Sequence, residues 1–423
     1  MTDAKHTAPD KTAFDVIIVG SGMVGALLAN ALADSHLSIA IVDKRPPAAN
    51  WDAEHFDTRV SAITHASQHI LEAVGIWDIV KTMRTSPFRE MHVWDATGNG
   101  VIHFDSAEIG VSCLGHIVEN NAILSALMKR LGQYNNITPF FGHQPLTLIN
   151  GEQTSQLRLE HHGTLTGKLI VGADGANSWV RESSDISISV KDYQQTAVVT
   201  TVKTEKPHQE TAWQRFMPTG PVAFLPLTKG YSSIVWSTTP EHASTLLKMT
   251  EHNFRLALGD ALDHKLGTII DSSELASFPL KSQHVTHYVK PRIALIGDAA
   301  HTIHPLAGQG ANLGFADAAA LAEVLLDSIN IPAHGKIADV SNDIGNYGVL
   351  RRYERWRKGE NLAMLTTMSA FKTLFGNQQP LLRTLRNMGL NLINNVTPAK
   401  NVIIRQAMGL TGDLPKLARH QPK

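Results

Sequence analysis

The sequence predicts an α/β protein in which a Rossmann-like nucleotide-binding domain is interrupted by an antiparallel sheet and followed by a helical C-terminal region. Three observations support this. The first forty residues contain a strand, a glycine-rich turn, a helix and a second strand. Segments with alternating polar and apolar residues recur between residues 186 and 285, and helical periodicity dominates residues 353–410. With 423 residues and 43% hydrophobic content, the chain can bury one large or two smaller cores.

The first strand is expected at residues 14–19, a short β-branched run that ends at glycine, as buried parallel strands do. An alanine- and leucine-rich helix is expected at 24–33 and a second buried strand at 37–42, directly before Asp43. Further buried strands are predicted at 169–171 and 293–296, and helices at 120–131 and 316–326. A hairpin is expected around the Asn150-Gly151 turn.

The turn after the first strand has the sequence GSGMVG at residues 20–25. Gly20 permits a tight turn, Gly22 lets the backbone approach a pyrophosphate, and Gly25 allows the helix to pack closely on the strand. The pyrophosphate would lie at the helix N-terminus, beside Met23 and Val24. The carboxylate of Asp43 would accept ribose hydroxyls and repel a 2′-phosphate, which argues against NADP here. This motif predicts dinucleotide binding and leaves NAD and FAD open.

Two later motifs indicate that the dinucleotide is FAD and not NAD. A DG motif begins at Asp174 and runs to Arg181, and a GD motif at residues 297–298 is followed by a glycine-rich run to residue 314. A strand that ends in Gly-Asp places Asp298 at the carboxyl edge of the sheet, where it can accept hydroxyls of a ribitol chain. The turn before the next helix exposes backbone N–H groups suited to the anionic pyrimidine end of a reduced flavin.

These motifs, together with the runs DTRVSAI at 57–63, IVEN at 117–120, GADGANS at 172–178, FLPL at 224–227 and GDAAHTIHPLAGQG at 297–310, resemble a known family. Over nearly the whole length the chain is similar to the single-component aromatic flavoprotein monooxygenases, and within them to the ubiquinone-biosynthesis hydroxylases. The resemblance implies an FAD-binding Rossmann-like domain of the GR2 type. It also implies these cofactor-binding residues: Gly20, Gly22, Met23, Val24, Gly25 and Asp43 on the ADP part; Arg59 along the cofactor; Glu119 near the adenosine; Asp174, Gly175 and Arg181 for FAD and the nicotinamide donor; Gly297 and Asp298 at the ribitol; and Pro305, Gly308, Gln309, Gly310 and Asn312 around the isoalloxazine ring.

The resemblance implies hydroxylation of the aromatic ring of a polyprenylated phenol or quinol in ubiquinone biosynthesis. Within the family, the chain is most similar to the hydroxylases that catalyse the last ring oxygenation. In that chemistry reduced flavin and O2 form a hydroperoxide that transfers one oxygen atom, and NAD(P)H or another reductant supplies the electrons. The sequence assigns no catalytic base. Two alternatives stay open: an accessory quinone-synthesis subunit without catalysis, and an FAD-dependent lipid reductase or epoxidase.

The expected domains follow from the motifs and the change of pattern. Residues 14–80, 115–185 and 286–345 form a discontinuous FAD-binding domain, residues 81–114 and 186–285 form the substrate domain, and residues 346–423 form a helical C-terminal region. Trp213 and Phe216 are expected either to line a ring pocket in the inserted sheet or to belong to its ordinary core.

Charge is unevenly placed, with 13 Lys and Arg against 3 Asp and Glu in residues 351–423. Such a segment suits an anionic membrane, nucleic acid or an acidic partner, or is simply a solvated face. With a polyprenylated substrate we expect peripheral contact with the inner membrane through these residues, no nucleic acid, and a ubiquinone-biosynthesis complex as a further hypothesis. Residues 1–13 lack the apolar core of a signal peptide, and a cytoplasmic location is expected.

A metal site is not predicted. His301 and His304 lie three residues apart after Asp298, but no third metal ligand stands out. The glycine-rich run around them is already explained as a cofactor-binding turn. The single cysteine, Cys113, excludes an internal disulfide and a cysteine-ligated cluster.

Overall fold

A computed structural model describes residues 11–48, 50–303, 309–329, 343–377 and 379–420. Its α-helices are α1 (Met23–Leu32), α2 (His65–Ala73), α3 (Trp77–Met83), α4 (Asn120–Leu131), α5 (Trp179–Ser183), α6 (Pro240–Lys248), α7 (Glu251–Ala261), α8 (Gly310–Ile329), α9 (Tyr347–Gly376), α10 (Pro380–Asn395) and α11 (Thr397–Ala407). Its strands are β1 (Ala13–Val19), β2 (Ile39–Asp43), β3 (Val60–Ile63), β4 (Ser86–Phe88), β5 (Glu90–Asp95), β6 (Val101–Asp105), β7 (Gly115–Glu119), β8 (Ile137–Phe141), β9 (Pro145–Asn150), β10 (Ser155–Leu159), β11 (Gly163–Gly172), β12 (Ile188–Thr204), β13 (Thr211–Met217), β14 (Gly220–Pro226), β15 (Tyr231–Thr238), β16 (Ile269–Ser272), β17 (Ala276–Val285), β18 (Val289–Lys290), β19 (Ile293–Leu295) and β20 (His301–Thr302).

The first sheet contains the parallel strands β19, β11, β1, β2 and β8 in that order, with β18 antiparallel at one edge and the predicted β9–β10 hairpin joined to β11. Val19 pairs with both Val42 and Gly172, and Gly172 pairs with Leu295. The carboxyl ends of four parallel strands therefore lie side by side. The glycine turn, Asp43, the DG motif and the GD motif follow those ends directly, so the fold places them on one edge.

Helices cover this sheet closely enough to bury β1 and β2 almost completely, as their unbroken apolar runs predict. Helix α1 packs against both α4 and α8. The contact between α1 and α8 depends on Gly314, where a Cβ would lie 2.6 Å from Cγ2 of Val24. Gly314, the last glycine of the run at 297–314, is thus required by the packing of α8 on α1.

The second sheet has nine strands, in the order β20, β17, β12, β15, β14, β13, β5 and β6, with β16 beside β12. All of its recorded pairs are antiparallel except β5 with β13. This confirms the predicted antiparallel sheet, which also contains β5 and β6 from residues 81–114 and β20 from residues 301–302. Strand β4, however, pairs with β7 in a separate three-stranded sheet with β3. The domain boundaries therefore stay a proposal, since residues 81–114 contribute to two sheets.

The C-terminal region is helical, as predicted, and consists of α9, α10 and α11. Helix α9 packs on α8, and α10 lies along β6 at the free edge of the nine-stranded sheet. Among the helices described here, none combines the length and apolar character needed to cross a bilayer.

Candidate functional site

A cavity of about 570 Å³ lies between the carboxyl edge of the parallel sheet and one face of the nine-stranded sheet. This volume is within the range of small-molecule sites. On the parallel-sheet side it is lined by Gly22, Met23, Val24, Thr58, Arg59, Gly175, Asp298, Gln309 and Gly310. On the opposite side it is lined by Val199, Ala212, Gln214, Ala223, Leu225, Ser233, Val235, Ser237, Phe278 and Leu280.

The three glycines of the first turn differ in what surrounds them. Gly20 has φ +108°, and a Cβ there would lie 2.3 Å from the carbonyl oxygen of Ala173. A Cβ on Gly25 would lie 2.0 Å from the carbonyl oxygen of Gly20. Gly22, at the N-terminus of α1, has no atom within 4 Å of the corresponding position and faces the cavity. Two glycines are therefore needed by the fold, while the third leaves room for a ligand.

Asp43 closes the first turn from the end of β2. Its Oδ2 accepts hydrogen bonds from the backbone N–H and hydroxyl of Ser21 at 2.8 and 2.9 Å, and its Oδ1 accepts from the N–H of Arg45. Asp43 is half-buried and does not line the cavity. A carboxylate has about four acceptor positions, so roughly one remains for a ribose hydroxyl.

The DG motif is held mainly by contacts to its own backbone. Asp174 caps α5 by accepting a hydrogen bond from the N–H of Val180 at 3.0 Å, while its Oδ1 is buried without a hydrogen-bond partner. Burial raises the pKa of Asp174. Gly175, with φ +84°, lines the cavity and leaves the space at its Cβ position open.

Arg181 is buried and does not line the cavity. Its Nη1 donates hydrogen bonds to the carbonyl oxygens of Ala176 at 3.0 Å and Ala299 at 3.2 Å. The side chain thus bridges the DG and GD motifs, which follow neighbouring strands β11 and β19. Any effect of Arg181 on a cofactor must pass through the position of these two turns.

The GD motif presents its carboxylate to the cavity. Gly297 has φ +58°, and Asp298 follows in a short 3-10 turn. The Asp298 side chain is open to solvent through the cavity, although protein surrounds it on its other sides. Burial raises its pKa, while His301 and Arg59 lower it. Asp298 is therefore placed to accept hydrogen bonds from a polyol chain.

Beneath this turn lies Asp317, a fully buried carboxylate of α8. Its Oδ2 accepts from the N–H of Gly297 at 3.1 Å and contacts Nε2 of His301 at 2.5 Å, and its Oδ1 accepts from Nε of Arg357 at 2.9 Å. Burial alone would raise the pKa of Asp317, but His301 and Arg357 hold it well below its usual range. His301 is therefore engaged in fixing the GD turn.

No group of three or more His, Cys, Asp or Glu side chains arranged for a metal ion is found among the described residues. His304, Pro305 and Gly308 lie outside those residues.

Glu119 and Asn312 support loops rather than line the cavity. Glu119 is buried, accepts a hydrogen bond from the N–H of Asp57 at 2.7 Å and pairs with Arg84 at 3.1 Å. Burial raises the pKa of Glu119. These contacts hold the segment that carries the exposed, cavity-lining Arg59.

Asn312 lies in the first turn of α8, just after the cavity-lining Gln309 and Gly310. Its Nδ2 donates to the carbonyl oxygen of Ala62 at 2.8 Å, and its Oδ1 accepts from the N–H of Thr64 at 3.2 Å. The side chain therefore ties the start of α8 to β3.

Of the two alternatives for Trp213 and Phe216, a ring pocket or ordinary core, the structure supports ordinary core. Trp213 points to the other side of the sheet and packs in the second core with Trp94, while Phe216 stacks on Phe375 at 3.9 Å between ring centroids. The cavity face instead carries Ala212 and Gln214, which flank Trp213 in β13. Alternation along the strand places Trp213 opposite Ala212 and Gln214, but it does not tell which of the two faces borders the cavity.

The site fits a flavin dinucleotide on three points of this structure. Gly22, at a helix N-terminus, and Gly175 both leave open space at the cavity wall, and the Asp298 carboxylate faces the same cavity. A pyrophosphate and a polyol chain call for these features.

Comparison with known proteins agrees with this fit. Residues 13–340 match the FAD binding domain family. Over 396 residues the chain is 35% identical to 3-demethoxyubiquinol 3-hydroxylase of Escherichia coli (strain K12), covering 94% of this chain and 98% of that protein. It is also 35% identical to the mitochondrial ubiquinone biosynthesis monooxygenase COQ6 of Homo sapiens, covering 94% and 93%, and to ubiquinone hydroxylase UbiL of Rhodospirillum rubrum, covering 98% and 94%.

Solved structures with the same fold include p-nitrophenol 4-monooxygenase PnpA from Pseudomonas putida, with a TM-score of 0.75 and 18% identity over 95% of this chain and 99% of that one. They also include pqsL, a probable FAD-dependent monooxygenase from Pseudomonas aeruginosa, with a TM-score of 0.72 and 22% identity over 89% and 99%. At these identities the likeness establishes the fold alone.

Proposed function

The chain belongs to the family of FAD-dependent ubiquinone-biosynthesis monooxygenases, and from that membership we propose that it hydroxylates the aromatic ring of a polyprenylated quinol. The substrate class is that named for the Escherichia coli relative, a demethoxyubiquinol. One structural observation carries the proposal: a single cavity joins the edge that carries the three nucleotide motifs to a face of small and apolar side chains. A ring bound on that face lies next to the cofactor edge.

FAD is held, in this proposal, by the residues expected from the sequence, which divide into two groups. Gly22, Met23, Val24, Arg59, Gly175, Asp298, Gln309 and Gly310 contact it from the cavity wall. Gly20, Gly25, Asp43, Glu119, Asp174, Arg181, Gly297 and Asn312 shape the turns behind that wall. When bound and reduced by NAD(P)H or another reductant, FAD would activate O2, so that one oxygen atom of O2 could be transferred to the ring and the other released as water.

The nine-stranded sheet supplies the other half of the site. Ala212, Ala223, Ser233 and Val235 leave space above the sheet, and Gln214 provides both a hydrogen-bond donor and an acceptor for a ring oxygen. This wall positions the ring and excludes water from the reacting carbon, which protects an oxygen-transfer reaction from side reactions. We assign no catalytic base among these residues.

The test has two arms. The purified protein should be yellow or become so with added FAD, and it should add one oxygen atom to a short-chain demethoxyquinol in the presence of a reductant. Deletion of the gene should lead to accumulation of the quinone that lacks this oxygen. A protein that FAD cannot reconstitute contradicts the proposal. If deletion stops ubiquinone synthesis while the FAD-loaded protein does not hydroxylate the quinol, the accessory role is supported instead.

We further propose that the protein works in peripheral contact with the inner membrane, where a polyprenylated quinol resides. Membership of a ubiquinone-biosynthesis complex is a separate proposal, supported only by the shared substrate chemistry of the relatives.

A further inference from the structure

Helix α10 carries its apolar side chains on the outside. Leu381, Leu385, Met388 and Leu392 are 54% to 72% exposed. Their spacing of four, three and four residues places them on a single stripe of the helix. A surface helix normally turns such a stripe toward the core, so the orientation of α10 needs an explanation.

The polar face of α10 explains it, because that face covers the free edge of β6. The side-chain Oδ1 atoms of Asn387, Asn391 and Asn394 accept hydrogen bonds from the backbone N–H groups of Gly100, Val101 and His103. These N–H groups would otherwise form an open sheet edge. Three bonds at helical spacing fix the rotation of α10 and keep its apolar stripe outward.

A buried ion pair reinforces this orientation. Arg386 of α10 is buried against Asp95 of β5, with Nε at 2.7 Å from Oδ2. The guanidinium also donates to the carbonyl oxygens of Leu374 and Phe375 at the end of α9. Rotating the stripe inward would move Arg386 away and leave the buried Asp95 without its partner, which is costly.

Helix α11 continues the apolar surface toward the cavity. Val396, Val402 and Ile403 are exposed, while Met408, directly after α11, is buried and lines the cavity. Ala407 is exposed and also lines the cavity. The cavity therefore reaches the surface beside the same helix that carries exposed apolar side chains.

The charge of this surface restricts what can cover it. No Asp or Glu occurs between Glu360 and Asp413, while that stretch contains five Lys and Arg. Two of these, Arg386 and Lys400, are buried in ion pairs with Asp95 and Glu108. Arg383 and Arg405 are exposed. The exposed side chains of this stretch therefore combine apolar residues with a small positive charge and no negative one, which suits the interface of an anionic bilayer.

We propose that the outward faces of α10 and α11, defined by Leu381, Leu385, Met388, Leu392, Val396, Val402 and Ile403, seat the protein on an anionic phospholipid bilayer. The apolar stripe inserts among the lipid headgroups, and Arg383 and Arg405 contact the phosphates. The opening beside Ala407 then faces the bilayer, so that a polyprenyl tail remains in lipid while the ring occupies the cavity. The last step rests on the proposed function, whereas the seating itself does not.

The experiment measures sedimentation of the FAD-loaded full-length protein with vesicles of phosphatidylcholine, alone or mixed with phosphatidylglycerol. The test variant is Leu385→Ser with Leu392→Ser, and the matched control is Leu256→Ser with Ile270→Ser, two side chains of similar exposure on α7 and β16. The wild type and the control should bind, and more tightly to the mixed vesicles. The test variant should bind at least about tenfold more weakly, since two inserted leucines are lost.

Activity separates seating from chemistry. The test variant should hydroxylate a water-soluble short-chain quinol like the wild type, but should lose most of its activity on a long-chain quinol embedded in vesicles. Failure of the wild type to bind either vesicle, or equal binding of wild type and test variant, overturns the proposal. A change of oligomeric state in the test variant without loss of vesicle binding assigns the surface to a second copy of the chain and also overturns it. If neither protein hydroxylates any quinol while vesicle binding differs as expected, the proposed function fails and the seating stands.

Discussion

The Nη1 atom of Arg181 donates a hydrogen bond to the carbonyl oxygen of Ala299 at 3.2 Å, which ties together two turns 118 residues apart in sequence. The same nitrogen bonds the carbonyl oxygen of Ala176. One buried guanidinium thus fixes the DG turn relative to the GD turn, whose Asp298 faces the cavity.

Replacing Arg181 by methionine keeps the apolar stem and removes the donors. The carbonyl groups of buried Ala299 and half-buried Ala176 then lose a donor, which costs about 1–3 kcal/mol for the buried group and less for the other. We expect the free energy of unfolding to fall by about 2–5 kcal/mol and FAD affinity to fall with it. Urea unfolding and fluorescence titration with FAD measure both. Arg158→Met, at an exposed position of β10, is the control. Unchanged FAD affinity in Arg181→Met would contradict this role.

Gly22 and Gly25 should respond differently to alanine. At Gly22 the added methyl meets open space in the protein, so the melting temperature without FAD should hardly change, while the dissociation constant for FAD should rise about tenfold or more, or about 1.4 kcal/mol. At Gly25 the methyl would meet a backbone oxygen at 2.0 Å, and stability should fall by at least about 2 kcal/mol. If Gly22→Ala lowered stability and Gly25→Ala lowered only FAD affinity, the open space at Gly22 would not be the place where FAD binds.

Ala223 tests the substrate wall. Ala223→Phe fills space on the cavity face of β14, so KM for the quinol should rise at least about tenfold while the dissociation constant for FAD stays within about twofold. Trp213→Phe changes the opposite face of the same sheet and should leave KM unaltered. Equal effects of the two substitutions on KM would contradict the assignment of this face of the sheet to quinol binding.

His116 gives the protein a pH-dependent stability. Burial, reinforced by the nearby His65, lowers the pKa of His116 to about 4. The unfolded chain, with a pKa near 6.5, therefore binds a proton between pH 6.5 and 4 that the folded chain does not bind. The contribution of His116 to the free energy of unfolding is therefore fully present above about pH 6.5. It is lost as the pH falls toward 4, by about 1–3 kcal/mol in all.

His116→Phe, which keeps the edge contact to Trp77, should flatten that part of the stability curve. The exposed His252→Gln should not change it. Unfolding by urea at several pH values between 4 and 7 measures the effect, and identical slopes for wild type and His116→Phe would refute it.

The parts predictable from sequence are those that depend on local chemistry. Gly20 and Gly25 were identified because the backbone of a tight turn and a close helix leave no room for a Cβ. The edge location of Asp298 followed from the rule that parallel strands end together. The sequence does not decide the cavity face of β13, because whether Trp213 or Ala212 faces inward depends on distant strands. The outward stripe of α10 depends on Asn387 and its bonds to β6, a pairing across 287 residues that periodicity does not reveal.

The distinction between local chemistry and contacts distant in sequence also applies to Glu119, Arg181 and Asn312. Their positions were found by resemblance, but the structure places their side chains behind the cavity wall, in contact with backbone groups of Asp57, Ala299 and Ala62. Resemblance thus finds residues important to a site without saying whether they touch its ligand.

Isotopically labelled dioxygen tests the proposed hydroxylation most directly. The FAD-loaded protein is supplied with a reductant and a short-chain demethoxyquinol in unlabelled water, and the product is analysed by mass spectrometry. We expect one labelled oxygen atom on the ring of each product molecule, and an amount of product proportional to the reductant consumed. A product without the label, or flavin turnover without any ring oxygen, would contradict the proposed hydroxylation.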